Sequence, residues 1–448
     1  MTSTKRLLIV GGGIAGLTAA WRAQQRGWAY TLVEASSRLG GMVLTDHIED
    51  CIAEAGPESF ITRKPQVWQL ANELGLRDQI VPITSEARGT AILQRGRIVP
   101  VPLSPMQFIR TPLLSLSGKL RLVGEPFVAV KTDGQDESLS AFATRRLGRE
   151  ASQHLIEPIL AGIYSSDPNT QSVMTTASML PELEKHGSLL KGMLAQGAAR
   201  RVARKSGAPL PPRSFTFKRG AQTIVQALQT QLTGTLLTGS AVQRLERRPA
   251  WQAVLQDGTV IEADCVLLAT QANVAARLLK GCAPDMARML EEIRHESIAS
   301  VTFVYRQQDI NTPCTGLMIP RREQRQLDAI TVRAAPRAKA GLVLVRAFVG
   351  GSVPELLRWD DAALHCAVRN ELQDLLHITA APIAHSTQRW LDCFPKPVVG
   401  HLTHVAQIEV TLPNGLALAG NSYRGIGVPD VMQSAERAIA QLAERSEC

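Results

Sequence analysis

Gly11, Gly13 and Gly16 stand in the spacing G-x-G-x-x-G. The first glycine permits a tight turn, the second lets the backbone approach a diphosphate, and the third lets a helix pack closely on a strand. The chemistry is anion binding, because a helix N-terminus offers free N–H groups and the positive end of its dipole. Glu34 follows 18 residues after Gly16. A carboxylate there can accept hydrogen bonds from ribose hydroxyls, which favours a free 2′-OH and so FAD or NAD over NADP. Arg38, Gly40 and Gly41 then complete the pattern E-x-x-x-R-x-G-G. This second glycine pair gives a second close backbone approach, suited to a longer cofactor lying across the domain.

These residues need a strand before them and a helix behind them, and the sequence supplies both. Residues 6–10 (RLLIV) form an apolar run of parallel-strand length stopped by glycine. Residues 14–26 predict a helix rich in Ala and Leu that ends at Gly27, and 29–34 a second strand. Further helices are expected at 66–75, 138–160, 220–232 and 360–377, with a last one from 429. Strands are expected at 90–94, 97–101, 241–247, 251–256, 259–268, 298–305, 329–333, 342–349 and 416–420. The closing strand, loop and helix are of the same type as the opening unit, so the last segment is expected to complete the first domain.

At 448 residues the chain is expected to hold two or three domains, and 45% hydrophobic with 20% charged residues fit a folded protein. Seven scattered cysteines with no C-x-x-C point to reduced thiols rather than a disulfide framework or a zinc site. A glycine turn as early as residue 11 leaves no room for a leader peptide, and no window holds about 18 uncharged apolar residues. The net charge of +9 resides almost wholly between Glu184 and Glu246, where ten basic residues meet no Asp or Glu. That segment is either a solvated loop or a face for an anionic partner such as lipid head groups or a carboxylate-rich substrate. Aromatics for base stacking are not interleaved there, which speaks against nucleic acid.

The opening pattern resembles the FAD-binding signature of the amine oxidase and desaturase superfamily. Four further segments narrow this: AEAGPESF (53–60), RRLGREASQHLIEPILAGIYSSDP (145–168), SFTFKRGAQTIVQAL (214–228) and LAGNSYRGIGVPD (418–430). Together they resemble the oxygen-dependent porphyrinogen oxidases of haem biosynthesis, over residues 5 to about 443. The resemblance implies an α/β fold. A Rossmann-like FAD-binding domain would come from 1–85, 213–290 and 405–448, an α+β substrate domain from 86–97 and 291–404, and a mainly helical, possible membrane-facing insertion from 98–212. It assigns the cofactor contacts to Gly11, Gly13, Gly16, Glu34, Arg38, Gly40 and Gly41, to Val242 at the adenine, to Ala269, and to Gly420, Asn421, Gly427 and Val428 beside the pyrophosphate and isoalloxazine. Arg88 would meet a substrate propionate and Gly162 would pass close to the macrocycle. FAD would be held non-covalently, Cys393 being the one cysteine placed to raise the other option.

In such an enzyme FAD N5 takes a hydride from a meso carbon, O₂ reoxidises the flavin with release of hydrogen peroxide, and three cycles remove six electrons. No triad, paired acids or metal cluster argues for a side-chain nucleophile. The sequence departs from the family at Arg219-Gly220, where two glycines are usual, and at Pro395-Lys396-Pro397, where Pro-Gln-Tyr is usual. The second departure leaves protoporphyrinogen and coproporphyrinogen both open as substrates. Alternative readings are a flavin amine oxidase, with Tyr423 as its aromatic wall, a carotenoid-type desaturase, and an FAD-stabilised scaffold. The 157–168 motif speaks against the desaturase. A cytoplasmic protein, monomer or homodimer, is expected, with 102–130 and 185–219 either a peripheral membrane face or a set of solvated helices.

Overall fold

The computed structural model describes residues 5–83, 89–159, 167–205, 211–334 and 341–444. Five short strands form a parallel sheet in the order Thr235–Leu237, Ala29–Val33, Arg6–Val10, Cys265–Leu268, Leu416–Leu418. Both faces are covered, so these strands carry unbroken apolar runs instead of an alternating pattern. On one face the helices Ile14–Gln25 and Val428–Glu444 pack together over Leu7, Ile9 and Leu32. On the other, Leu8, Val10 and Val266 meet a three-stranded antiparallel sheet (Val242–Arg248, Ala250–Leu255, Val260–Ala263) and the helix Ala272–Leu279. The first, middle and last parts of the chain thus share one core.

The apolar stretch 259–268, expected as a single strand, is two. Val260–Ala263 belongs to the antiparallel sheet and Cys265–Leu268 to the parallel one. The break falls at Asp264, whose carboxylate accepts from the Arg6 amide at 2.9 Å and pairs with its guanidinium. The side chain therefore pins the point where the chain changes sheets.

A second, seven-stranded sheet runs Ala384–Pro395, His295–Arg306, Leu342–Val349, Ala329–Ala334, Gly316–Met318, Thr90–Gln94, Arg97–Pro100. Alternation sets its two faces apart. Val301, Phe303, Ile330, Val332, Val345 and Ala347 pack against the helix Asp361–Leu376. Opposite residues in the ladders then put Thr302, Arg346, Thr331 and Gly316 together on the other face.

Residues 105–159 and 167–205 supply helices. The stretch 138–160, expected as one helix, breaks at Gly148, whose φ of +91° ends Leu139–Leu147. Arg146 is wholly buried and pairs with Glu125. The same Glu125 carboxylate accepts from the amides of Leu189 and Leu190, at 2.9 and 3.4 Å, and so anchors the start of the helix Leu189–Lys205. Ile92 and Met318 of the seven-stranded sheet join Leu113, Leu114 and Ala151 of this region in a small core.

Candidate active site

The glycine turn is built by backbone contacts. The Gly11 amide donates to the Val33 carbonyl at 2.8 Å, and Gly11 has φ +107°. A Cβ there would stand 2.6 Å from the Ala269 carbonyl oxygen, so the turn is wedged against the end of a neighbouring strand. A Cβ on Gly16 would run into the Gly11 carbonyl. Gly13 caps the helix Ile14–Gln25 without a side-chain acceptor, and the first turn holds no acidic residue. Its leading N–H groups remain for an anion.

The second glycine pair lies directly on the first. Gly40 forms a parallel bridge with Gly13 and donates to the Gly12 carbonyl at 2.8 Å, and a Cβ on Gly41 would come 3.1 Å from Gly13 Cα. Glu34 accepts from the Gly12 amide at 2.6 Å and from the Ser36 amide at 2.8 Å. Its backbone pairs with Leu237 and Ser240, which brings the 240–242 segment, and Val242 with it, to this edge. Arg38 Nη1 is buried without a hydrogen-bond partner among the described residues, while its guanidinium lies 5.9 Å from the Trp390 ring. A cradle of glycines, an exposed helix N-terminus and an unmatched buried guanidinium N–H are the donor set a diphosphate requires. These residues fit FAD.

The last segment closes the same corner. The Ala269 amide donates to Val10 and the Ala419 amide to Leu268, extending the two strands to Gly420, which turns at φ +137°. Asn421 Nδ2 donates to the Cys393 carbonyl at 2.8 Å. Gly427 accepts from the Val431 amide and Val428 opens the final helix. Two histidines that carry no sequence signature hold this segment. His401 Nε2 donates to the Tyr423 carbonyl at 2.7 Å, and His295 Nε2 lies 2.8 Å from Ser422 Oγ. Burial holds both imidazoles below their ordinary value, so they serve as neutral hydrogen-bonding groups. Burial pushes the Cys393 thiol up to about 11, which favours the protonated thiol over the thiolate. Arg88 and Gly162 lie outside the described residues.

Beside the corner stands a second cluster that sequence reasoning missed. Arg346 donates to the carbonyls of Ala55, at 2.7 Å, and Gly56, at 3.1 Å. Trp390 Nε1 also donates to Ala55 at 3.0 Å. Glu58 accepts from Arg333 Nε at 2.8 Å and lies 3.5 Å from Arg346. Burial lowers the Arg346 guanidinium against the pull of Glu58. Burial also pushes the Glu54 carboxyl up to about 7, although Thr45 Oγ1 and the Ala221 amide donate to it at 2.7 and 2.8 Å. The signals were present: a Gly-Pro-Glu segment, and one arginine inside the apolar strand LVLVRAFV. Among the described residues no group of His, Cys, Asp and Glu could hold a metal ion.

Fold and corner together define an FAD-binding oxidoreductase. The profile of the flavin containing amine oxidoreductases matches residues 14–443. The coproporphyrinogen III oxidase of Bacillus subtilis (strain 168) is 30% identical over 97% of this chain and 97% of its own. Protoporphyrinogen oxidase 2 of Arabidopsis thaliana is 28% identical over 95% of this chain and 91% of its own. A crystal structure from Exiguobacterium sp. 255-15, provisionally assigned as a protoporphyrinogen oxidase, superposes with a TM-score of 0.84 at 27% identity over the full length of both chains. The chain belongs to the flavin containing amine oxidoreductases, in the branch of the porphyrinogen oxidases. Its cofactor is FAD.

Proposed function

We propose that the protein oxidises a porphyrinogen, coproporphyrinogen III or protoporphyrinogen IX, to its porphyrin in haem biosynthesis, with O₂ as electron acceptor and hydrogen peroxide as product. The observation that carries this reading is the full-length similarity to porphyrinogen oxidases combined with a glycine-built FAD corner. The segments 1–85, 213–290 and 405–448 form the cofactor unit in this reading, and 86–97 with 291–404 the substrate unit. When bound, FAD supplies the hydride acceptor and the site of reaction with O₂. The chain's own residues orient and exclude water. Gly11, Gly13, Gly40 and Gly41 hold the diphosphate, Glu34 the ribose, and Arg346 with Trp390 fixes the Ala55–Gly56 backbone against the cofactor side of the substrate sheet.

The test supplies anaerobically prepared coproporphyrinogen III and protoporphyrinogen IX separately and follows porphyrin fluorescence and peroxide in air. Porphyrin from at least one, with peroxide in a threefold molar ratio, is the expected result. Rates no higher than air oxidation for both substrates would end this reading.

We propose in addition that the helical region rests on an anionic membrane surface. No helix of the described residues is long and apolar enough to cross a membrane. Leu116, Leu120 and Phe127 are nonetheless exposed, Phe127 by 92%. Through Glu125 their neighbourhood is tied to a helix that exposes Met193 and Leu194 and carries Lys191, Arg200 and Arg201. Apolar side chains beside basic ones suit a lipid interface. Flotation with phosphatidylglycerol liposomes, reduced by Phe127→Ser with Leu116→Ser, is the expected outcome. Recovery of the wild-type protein wholly in the lipid-free fraction would refute it.

A further inference from the structure

Three separated stretches of chain meet at one buried hydroxyl. Ser422, from the last segment, is buried, and its Oγ accepts from the Ala272 amide at 3.1 Å. Ala272 opens the helix Ala272–Leu279, whose N-cap, Gln271, supplies no side-chain acceptor. Ser422 stands in for the missing cap. The same Oγ lies 2.8 Å from His295 Nε2. His295 is the first residue of the strand His295–Arg306, so it is where this part of the chain enters the seven-stranded sheet. The junction borders the glycine cradle. Thr270 lies against both: a Cβ on Gly11 would come 3.2 Å from Thr270 Cγ2, and one on Gly420 3.5 Å from the Thr270 carbonyl oxygen. What fixes Ser422 therefore fixes the turn at Gly420 and Asn421 beside Gly11.

Donors and acceptors at this junction can be counted. A hydroxyl has one hydrogen and two lone pairs. The Ala272 N–H takes one lone pair of Ser422, and the hydroxyl has no third partner among the described residues. Its hydrogen is satisfied only if it points at His295 Nε2, and that nitrogen must then carry a lone pair. His295 has to be neutral, with its proton on Nδ1. A protonated His295 would present an N–H to Ser422 Oγ, and the serine hydrogen would be left buried without an acceptor. Burial favours the neutral ring, against the pull of the Ile293 backbone and of Asp392 on the strand Ala384–Pro395, and His401 adds to the effect of burial. His401 itself is different. Its Nε2 donates to the Tyr423 carbonyl, and a second proton on the ring leaves that bond intact.

We propose that His295 is a positioning residue: by accepting from Ser422 it ties the seven-stranded sheet to the turn beside the cofactor, and so makes FAD binding acid-labile. The neutral ring holds the turn against the glycine cradle, and the protonated ring lets it go. Retention of FAD is read without turnover, so the inference stands apart from the choice of porphyrinogen and from the oxidation itself.

The test compares wild-type holoenzyme with His295→Gln, His295→Leu and His401→Gln. Each is diluted at a series of values between about pH 5 and pH 7.5, and the FAD released is read by its fluorescence, which gives Kd. Wild-type Kd is expected to be flat above the ordinary imidazole value of 6.5 and to weaken below it, by up to about tenfold per pH unit, as one proton competes with the cofactor. His295→Gln offers an amide oxygen that accepts from Ser422 and never titrates, so its Kd should lie within about threefold of wild type at the upper end and stay flat in acid. His295→Leu strands the hydroxyl and should bind FAD about tenfold more weakly throughout. His401→Gln should keep the wild-type profile. Acid profiles that run parallel in wild type and His295→Gln would overturn the proposal, and that comparison decides alone if His295→Leu does not fold. Loss of the acid step in His401→Gln but not in His295→Gln would overturn it too. A wild type that oxidises neither porphyrinogen removes the proposed activity and leaves this comparison intact.

Discussion

The cofactor corner and the polar face of the seven-stranded sheet lie side by side but are made of different material. The corner is assembled from main-chain N–H groups and the absence of side chains: Gly11, Gly16, Gly40 and Gly41 are where a Cβ would collide or where φ is positive. The sheet face is assembled from charges: Arg333, Arg346 and Glu58, with Glu54 behind them. A backbone site fails sterically and all at once, since a carbonyl cannot move aside as a flexible side chain can. A charge site fails by degrees, and its failure depends on pH. The difference predicts a ranking of effects, and each variant below would break or sharpen it.

The largest effect is expected in the corner. Gly16→Ala drives a methyl into the Gly11 carbonyl, which is part of the same turn. Overpacking costs about 1–3 kcal/mol, occasionally more, and here it also destroys the turn that would hold the cofactor, so the effect on function is complete. Purified Gly16→Ala should be free of flavin, with a melting temperature well below that of wild-type apoprotein. A yellow protein with the normal flavin spectrum would break the comparison at its first term.

Next comes Arg346→Met, which removes both donors to Ala55 and Gly56 and one cation from Glu58. Removing one partner of a buried pair costs about 3–5 kcal/mol. Denaturant midpoints of the apoprotein measure this loss, and Arg346→Lys should recover a minor part, because one ammonium cannot reach both carbonyls with a planar fork. Loss in Arg346→Met of less than 1 kcal/mol would show that Trp390 alone secures the segment.

Glu54→Gln carries the pH-dependent term. The folded carboxyl takes up its proton at about 7, against an ordinary value of 4.5. Between those values the folded state binds more protons than the unfolded one, so stability falls as pH rises from 4.5 to 7. The shift corresponds to about 3 kcal/mol at full ionisation. Glu54→Gln lacks this titration, so its stability relative to wild type should climb across pH 5–8. Parallel curves for the two proteins would remove Glu54 from the charge site.

How much of each region the sequence discloses follows from the same contrast. Residue type and local conformation are bound together in a glycine turn, so Gly11 through Gly41 can be read within one stretch of chain. Asn421 and Gly420 were reachable only through the resemblance, because the chain between them and Gly11 says nothing of their pairing. The sheet face depends on register: Arg333 meets Glu58 across 275 positions, and only the opposition of Thr331 to Arg346 puts them on one side. The break at Asp264 is not legible in the sequence, because both flanking strands are apolar and a single acid there fits an exposed edge residue equally well. His295 and His401 are not legible in the sequence, since an isolated histidine has no spacing to betray it.

The smallest effect tests the one side chain on which the corner relies. Glu34 already accepts from Gly12 through one oxygen and from the Ser36 amide and hydroxyl through the other. The oxygen that meets Gly12 has a second lone pair, so a ribose hydroxyl can still be accepted there. Glu34→Gln turns an amide N–H₂ toward one of those donors, loosening the turn and forfeiting one acceptor. The backbone cradle remains, so FAD should still bind the reconstituted apoprotein, about tenfold more weakly, near 1.4 kcal/mol. Titration of apoprotein with FAD, read by flavin fluorescence, gives the Kd. An unchanged Kd would mean that the carboxylate only braces Gly12 and Ser36. A loss as large as that of Gly16→Ala would mean that the corner depends on charge after all, and the division between the two regions would have to be redrawn.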